Sequence, residues 1–174
     1  MIYLGGSISA DSSVTTELNR RLSEGRNAFN LLRKLWSHVS LSISRKLEVF
    51  NACITSKVMY ALDSVWLLKV GVTRLDAFQC ACIRRILKIP PSFISRISNA
   101  DVLDRAKQIR YSLILQHRQI QLYRKIQLMP VGSILRSLVC DVNGCPKNWH
   151  LHRNRGRPRQ RWVQSVFKKM CTSE

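Results

Sequence analysis

Val72-Thr73-Arg74-Leu75-Asp76-Ala77-Phe78-Gln79-Cys80-Ala81-Cys82-Ile83-Arg84-Arg85-Ile86-Leu87, followed closely by Pro90-Pro91, is the stretch on which the fold turns. Leu75, Phe78, Cys82, Ile83 and Ile86 recur at helical steps, which places them on one face and predicts a helix over 72–87. The paired prolines close it, because neither has an N–H to donate. Arg84, Arg85 and Lys88 gather at its C-terminal end, where they oppose the negative pole of the helix dipole and are also placed to meet phosphate. Cys80 and Cys82 fall on different faces, which argues against a shared metal ion.

Working back from this helix, Leu47, Phe50, Ile54, Val58, Ala61, Leu62 and Val65 mark the buried face of a preceding helix from about Ser44, with Gly71 as its stop. Before that, Val14, Leu18, Leu22, Phe29, Leu32 and Trp36 predict one long amphipathic helix ending near Ser37. The first residues, Ile2-Tyr3-Leu4-Gly5-Gly6-Ser7-Ile8, read as a strand and turn. Working forward, Ser98 with Asp101 has the form of a capping box and starts a short helix, and a longer one runs from about Arg110 to Leu128, closed by Pro130. A short helix near Ser133 to Val139 precedes a loop over Cys140 to Gln160, and helical spacing returns in Trp162, Val163, Val166 and Phe167. The sum is a mainly α chain, a helical bundle with a short N-terminal strand and a basic, partly irregular C-terminal tail. Its expected divisions are 1–10 for the strand, 11–130 for the helical domain and 131–174 for the tail.

Charge narrows the class of partner. The 174 residues carry 29 Lys and Arg against 10 Asp and Glu, a formal charge of +19. Residues 105–174 hold 15 of the basic and 2 of the acidic side chains, so the field is concentrated toward the end of the chain. A surface of one sign calls for a polyanion, DNA or RNA being the commonest. Nothing in the apolar runs is long enough to span a bilayer, so no membrane partner is expected. The start has no secretory pattern, so the six cysteines are expected as thiols in a nuclear or cytoplasmic, not secreted, protein.

Arg153, Arg155, Arg157, Arg159 and Arg161 alternate with other residues and lead into Trp162. In an extended chain they would recur every ~6–7 Å, close to phosphate spacing along a single strand. Trp162 is then placed to stack on a base. The same segment also has the form of a nuclear-import signal or a solubilising tail, and its Arg-Gly-Arg-Pro resembles an AT-hook, which reads the minor groove of A·T-rich DNA. Cys140, Cys145, His150 and His152 have the right chemistry for zinc but an unusual spacing, and Cys140 as a helix-end core residue with the histidines as loop cations is the plainer account. No carboxylates cluster as two-metal polymerase chemistry requires, and no phosphate-cradling loop or activated nucleophile is present. The chain alone is therefore expected to have no catalytic residues and to need no cofactor, zinc aside.

Read in order, these pieces resemble the C-terminal region of non-LTR (LINE-type) retrotransposon reverse transcriptases. Tyr3-Leu4-Gly5-Gly6-Ser7-Ile8 is similar to the strand by which that family's chain leaves its palm. Leu41 to Leu47, Tyr60 to Trp66 with Ala61 and Asp63 as departures, Leu75 to Gln79 and Cys82 to Ile89 follow in the family's order. Ser98-Asn99 with Val102-Leu103, and Gly156-Arg157-Pro158-Arg159-Gln160-Arg161-Trp162, complete the series. Two segments depart: Leu122 to Ile126 stands where the family has a Trp, Gly, His and Val pattern, and the cysteine and histidine spacing differs from its zinc knuckle. The resemblance implies a thumb that grips template–primer duplex and a basic tail that engages the element's RNA or its DNA target; Arg84, Arg85, Lys88, Arg124 and Lys125 are the helix cations expected on nucleic acid. It further implies that fingers, palm and the aspartates binding Mg²⁺ lie before Met1, which makes this chain a truncated remnant of an RNA-directed DNA polymerase with a chance start. A stand-alone helical protein-interaction module with a basic face is the alternative.

Overall fold

A computed structural model of the chain describes residues 14–147 and 162–172, together with the backbone of 2–3 and 6–7. The chain is mainly helical. Strands β1 (Ile2–Tyr3) and β2 (Gly6–Ser7) pair antiparallel with each other, Ile2 opposite Ser7 and Tyr3 opposite Gly6. The helices divide between two units, one formed by residues 1–62 and 67–114, the other by 63–66 and 115–174. The division expected at residue 130 thus falls earlier, inside a continuous helix where no glycine, proline or change of composition marks it.

In the first unit, α1 (Val14–Leu31) and α2 (Arg33–Ser37) replace the single helix expected over 14–37. Across the break the Trp36 indole N–H donates to the Phe29 carbonyl at 2.8 Å, and its ring stacks on Phe29 with centroids 5.0 Å apart. Phe29 meets Phe50 edge-on, and Phe50 stacks on Tyr111. This aromatic ladder links α1 to α3 (Ile43–Phe50) and to the first turn of α8 (Tyr111–Gln127). Such pairs contribute about 0.5–1.5 kcal/mol each beyond their buried area.

The second expected helix is shorter than its spacing suggests. After α3 the ladder widens into a π-helical turn, Asn51–Thr55, then resumes as α4 (Ser56–Met59) and stops where Ala61 takes a left-handed φ of 58°. The π-turn presents the Thr55 hydroxyl to the Tyr111 hydroxyl at 2.7 Å, both within the core. Burial holds the Tyr111 phenol well above its usual range.

Helix α5 (Lys69–Ile86) runs through the middle of this unit with Leu75, Phe78, Cys82, Ile83 and Ile86 buried, as its spacing predicts. Gly71 does not stop a helix; it lies in the first turn of α5, where a Cβ would come within 3.1 Å of Leu18 Cδ2. Gly25 of α1 likewise lets Val58 and Phe78 approach its backbone. Gln79, almost wholly buried, ties residues 109–111 to α5: its amide donates to the Ile109 carbonyl at 2.7 Å and its oxygen accepts from Tyr111 N–H at 2.8 Å. After α6 (Ser92–Ser95), Ser98 and Asp101 form both arms of the capping box of α7 (Asn99–Arg105).

The second unit centres on Tyr123, Ile126, Cys140 and Val166. It is built from α8 beyond Leu115, α9 (Ile134–Val139) and α10 (Trp162–Cys171), with Trp66, Trp162 and Phe167 packed around the centre. Tyr123 donates its hydroxyl to the Gly144 carbonyl at 3.1 Å, and Gln127 donates to the same oxygen at 2.7 Å. Gly144 needs its left-handed φ of 78° to turn the chain between Cys140 and Pro146, which form a bridge. Among the described residues no helix is long and apolar enough to cross a membrane.

Candidate nucleic-acid interface

The cations expected to meet nucleic acid separate into distinct groups. Arg84 is a correction. It is 7% exposed, and its guanidinium donates to the carbonyls of Pro90 (3.1 Å) and Ile97 (2.6 Å), to Asn99 Oδ1 (3.1 Å) and to Ser95 Oγ (3.4 Å). A planar fork can serve several acceptors at once, so this arginine holds the segment after α5 together rather than a phosphate. Arg85 and Lys88 point to solvent. Lys88 ends α5 with a φ of 57°, and Ile89 N–H returns to the Arg84 carbonyl at 2.9 Å, the bond of a helix-ending turn that usually holds glycine at the Lys88 position.

Helix α8 carries the second group. Its seventeen residues include no carboxylate, and His117, Arg118, Gln121, Arg124 and Lys125 lie exposed at spacings that share one face. The opposite face supplies Leu115, Gln119, Tyr123 and Ile126 to the interior. Gln119 fixes this orientation by donating to the Val65 carbonyl at 2.8 Å. Arg118, a single cation between histidine and glutamine, carries no motif in the sequence; its register with Arg124 and Lys125 is what joins it to this face.

Trp162, expected to stack on a base, is half-buried and makes two contacts within its own unit. Its indole N–H donates to the Asp63 carbonyl at 2.9 Å and its ring lies 6.5 Å from that of Tyr123, which anchors the start of α10. Arg153, Arg155, Arg157, Arg159 and Arg161, with the AT-hook-like Arg-Gly-Arg-Pro, lie outside the described residues, as do His150 and His152. Of the two thiols proposed for zinc, Cys140 is 2% exposed and its Sγ–H donates to the Tyr123 hydroxyl at 3.8 Å, whereas Cys145 is exposed. Among the described residues no three His, Cys, Asp or Glu side chains come together to hold a metal ion.

Most carboxylates of the described residues serve pairs, caps or turns. Glu17 and Glu24 pair with Arg20 and Arg21 along α1, and Glu48 pairs with Arg45 along α3. Asp76 accepts from Ser112 N–H at 2.8 Å, Asp101 closes the α7 capping box, and Asp141 accepts from Asn143 and Cys145 N–H in the turn after α9. Negative charge is thereby drawn into pairs, caps and turns. Burial pushes the Cys82 thiol up to about 12, and the positive fields of Arg85 and Arg26 offset this only partly. Their shared influence places Arg26 of α1 and Arg85 of α5 around one point of the first unit. No protein-family model matches the chain, nor does any curated protein or solved structure.

Proposed function

We propose that this chain is a nucleic-acid-binding helical module, related to the thumb and following segment of a non-LTR reverse transcriptase and lacking polymerase activity by itself. The observation that carries the binding reading is the outward face of α8, where Arg118, Arg124 and Lys125 stand exposed on a helix with no acidic residue. A solvated face kept only for solubility ordinarily interleaves both signs. Phosphates of DNA or RNA suit such a face, and the wider excess of 29 basic over 10 acidic residues would draw them to it.

The test is the salt dependence of duplex binding by the whole chain. Log Kobs should fall linearly with log salt, and replacing Arg118, Arg124 and Lys125 by Ala should reduce the slope by about 2.7, at about 0.9 per neutralised phosphate. An unchanged slope removes α8 from the interface. Primer extension on a primed RNA template with Mg²⁺ should be absent; measurable extension would overturn the non-catalytic reading.

A second reading, a protein-interaction module, draws on α9. Val131, Ile134, Leu135 and Leu138 follow a helical stripe and are 64%, 79%, 46% and 50% exposed. Nucleic acid offers such a stripe little to cover it. Competition by bulk duplex against a bound protein would separate the two readings.

A further inference from the structure

The segment between α5 and α7 combines three features that neither helix packing nor solubility requires. The first is an aromatic ring held in water: Phe93 is 82% exposed, with Ile94 beside it at 62%. The second is charge of one sign. No carboxylate occurs between Asp76 and Asp101, while Arg85, Lys88 and Arg96 are all exposed. Lys88 and Arg96 have left-handed φ values of 57° and 54°, a conformation in which glycine is the usual residue, so positive charge stands at both ends where glycine would fit better.

The third feature is rigidity. Arg84 donates to acceptors on Pro90, Ser95, Ile97 and Asn99 from within the fold. Ser95 Oγ–H lies 3.1 Å from the Pro90 carbonyl, and Ser95 and Arg96 N–H bond to the carbonyls of Pro91 and Ser92 at 3.0 and 2.9 Å. Two consecutive prolines restrict the backbone further. The ring is thus presented on a segment ordered in advance, which lowers the entropy lost on binding.

We infer that Phe93 is a stacking platform for an unpaired nucleobase, with Lys88 and Arg96 meeting the phosphates on either side and Arg84 acting as a positioning residue. This rests on the nucleic-acid reading above and narrows it to strands with open bases. A flat ring gains its stacking contact only from a base face, and in a duplex those faces are covered except at the ends. The flanking cations select a polyanionic strand over a neutral apolar partner, and any base will do, since every base has a π-face.

The experiment compares fluorescein-labelled oligo(dT), oligo(U) and a long blunt duplex by anisotropy, using the full chain. Phe93→Ala should weaken both single strands by about 5- to 100-fold, the usual range for one stacked base, and leave the duplex unchanged. Phe93→Trp should restore binding, and its added tryptophan emission should be quenched by oligo(dT). Phe93→Leu should not restore it. Combining Arg84→Lys with Phe93→Trp should reduce the quenching at saturating strand, the sign of a mispositioned ring. Equal single-strand affinity for Phe93→Ala and the parent, with duplex binding intact, overturns this inference alone. Full recovery in Phe93→Leu also overturns it, because an apolar contact would then suffice. Failure of every nucleic acid to bind would bring down both this inference and the reading beneath it. A loss confined to one of the two strand types would assign the platform to DNA or to RNA.

Discussion

Replacing Arg84 by Met should destabilise the first unit by about 2–4 kcal/mol. The guanidinium serves four acceptors, three of them at 2.6–3.1 Å and one at 3.4 Å. A hydrogen bond from a charged donor contributes about 1.5–3 kcal/mol net, but bonds sharing one donor group are not additive. Pro90 and Asn99 are exposed residues, where water can replace the lost donor, whereas the half-buried Ile97 carbonyl loses the shortest of the four bonds. Met keeps much of the aliphatic packing, so the loss reports the fork and not a cavity. Arg84→Lys retains the charge but presents an ammonium in place of the planar fork, and should recover less than half of the loss. Urea denaturation with a helical signal and a Tyr111 or Trp36 fluorescence signal gives both values. If Arg84 met phosphate instead, as the cluster at the end of α5 suggests on sequence alone, Arg84→Lys would be nearly silent in urea and mild in binding. Stability of Arg84→Lys within about 0.5 kcal/mol of the parent would refute the clamp.

Gly25→Ala should destabilise the protein although it raises helix propensity by about 1 kcal/mol, because a Cβ would meet Val58 and Phe78 and overpacking costs about 1–3 kcal/mol; a higher melting temperature would show that α4 and α5 can yield. Lys88→Gly removes a left-handed non-glycine residue, so stability should hold or rise by up to about 1 kcal/mol in thermal melts while single-strand affinity falls. Cys82 keeps its proton in the fold up to about 12 and loses it near 9.0 when unfolded. Its contribution is therefore whole below pH ~9 and declines by about 1.4 kcal/mol per pH unit above that, and Cys82→Ala should flatten this part of a pH–stability curve. Iodoacetamide should modify exposed Cys145 and Cys171 long before buried Cys82 and Cys140, as read by mass spectrometry of timed digests. Tyr123→Phe, which removes the donor to Gly144 and the acceptor for Cys140, should cost about 1–3 kcal/mol in urea denaturation.

The periodic signals proved legible where one residue pattern had one physical meaning. The apolar face of α5, the capping box of α7 and the span of α8 follow directly from spacing, from the Ser98–Asp101 pair and from Pro130. Breaks without glycine or proline were not legible. The chain leaves the helix at Leu32 and again at Tyr60–Ala61, and neither place carries a residue that ordinarily ends a helix. Gly71 and Arg84 misled for one reason: each residue type has a common local role, helix stop or surface cation, and here each serves a tertiary contact. Gln79 shows the converse, since a polar residue among apolar neighbours reads as surface until its two bonds to residues 109 and 111 are seen.

The excess of cations over carboxylates has an energetic consequence for the fold. Excess like charge destabilises a folded chain through self-repulsion, and the pairs and caps that hold Glu17, Glu48, Asp76 and Asp101 offset it only locally. Removing exposed cations such as Arg118 or Lys125 should therefore leave the helices intact or slightly strengthen them, and under the proposed nucleic-acid reading should weaken duplex binding. Removing the inward groups, Arg84, Gln79 or Tyr123, should do the reverse and act on binding only through the fold. Lys88 and Arg96 occupy a backbone conformation suited to glycine, so replacing either by Gly should leave the fold intact or slightly strengthen it, as thermal melts would show.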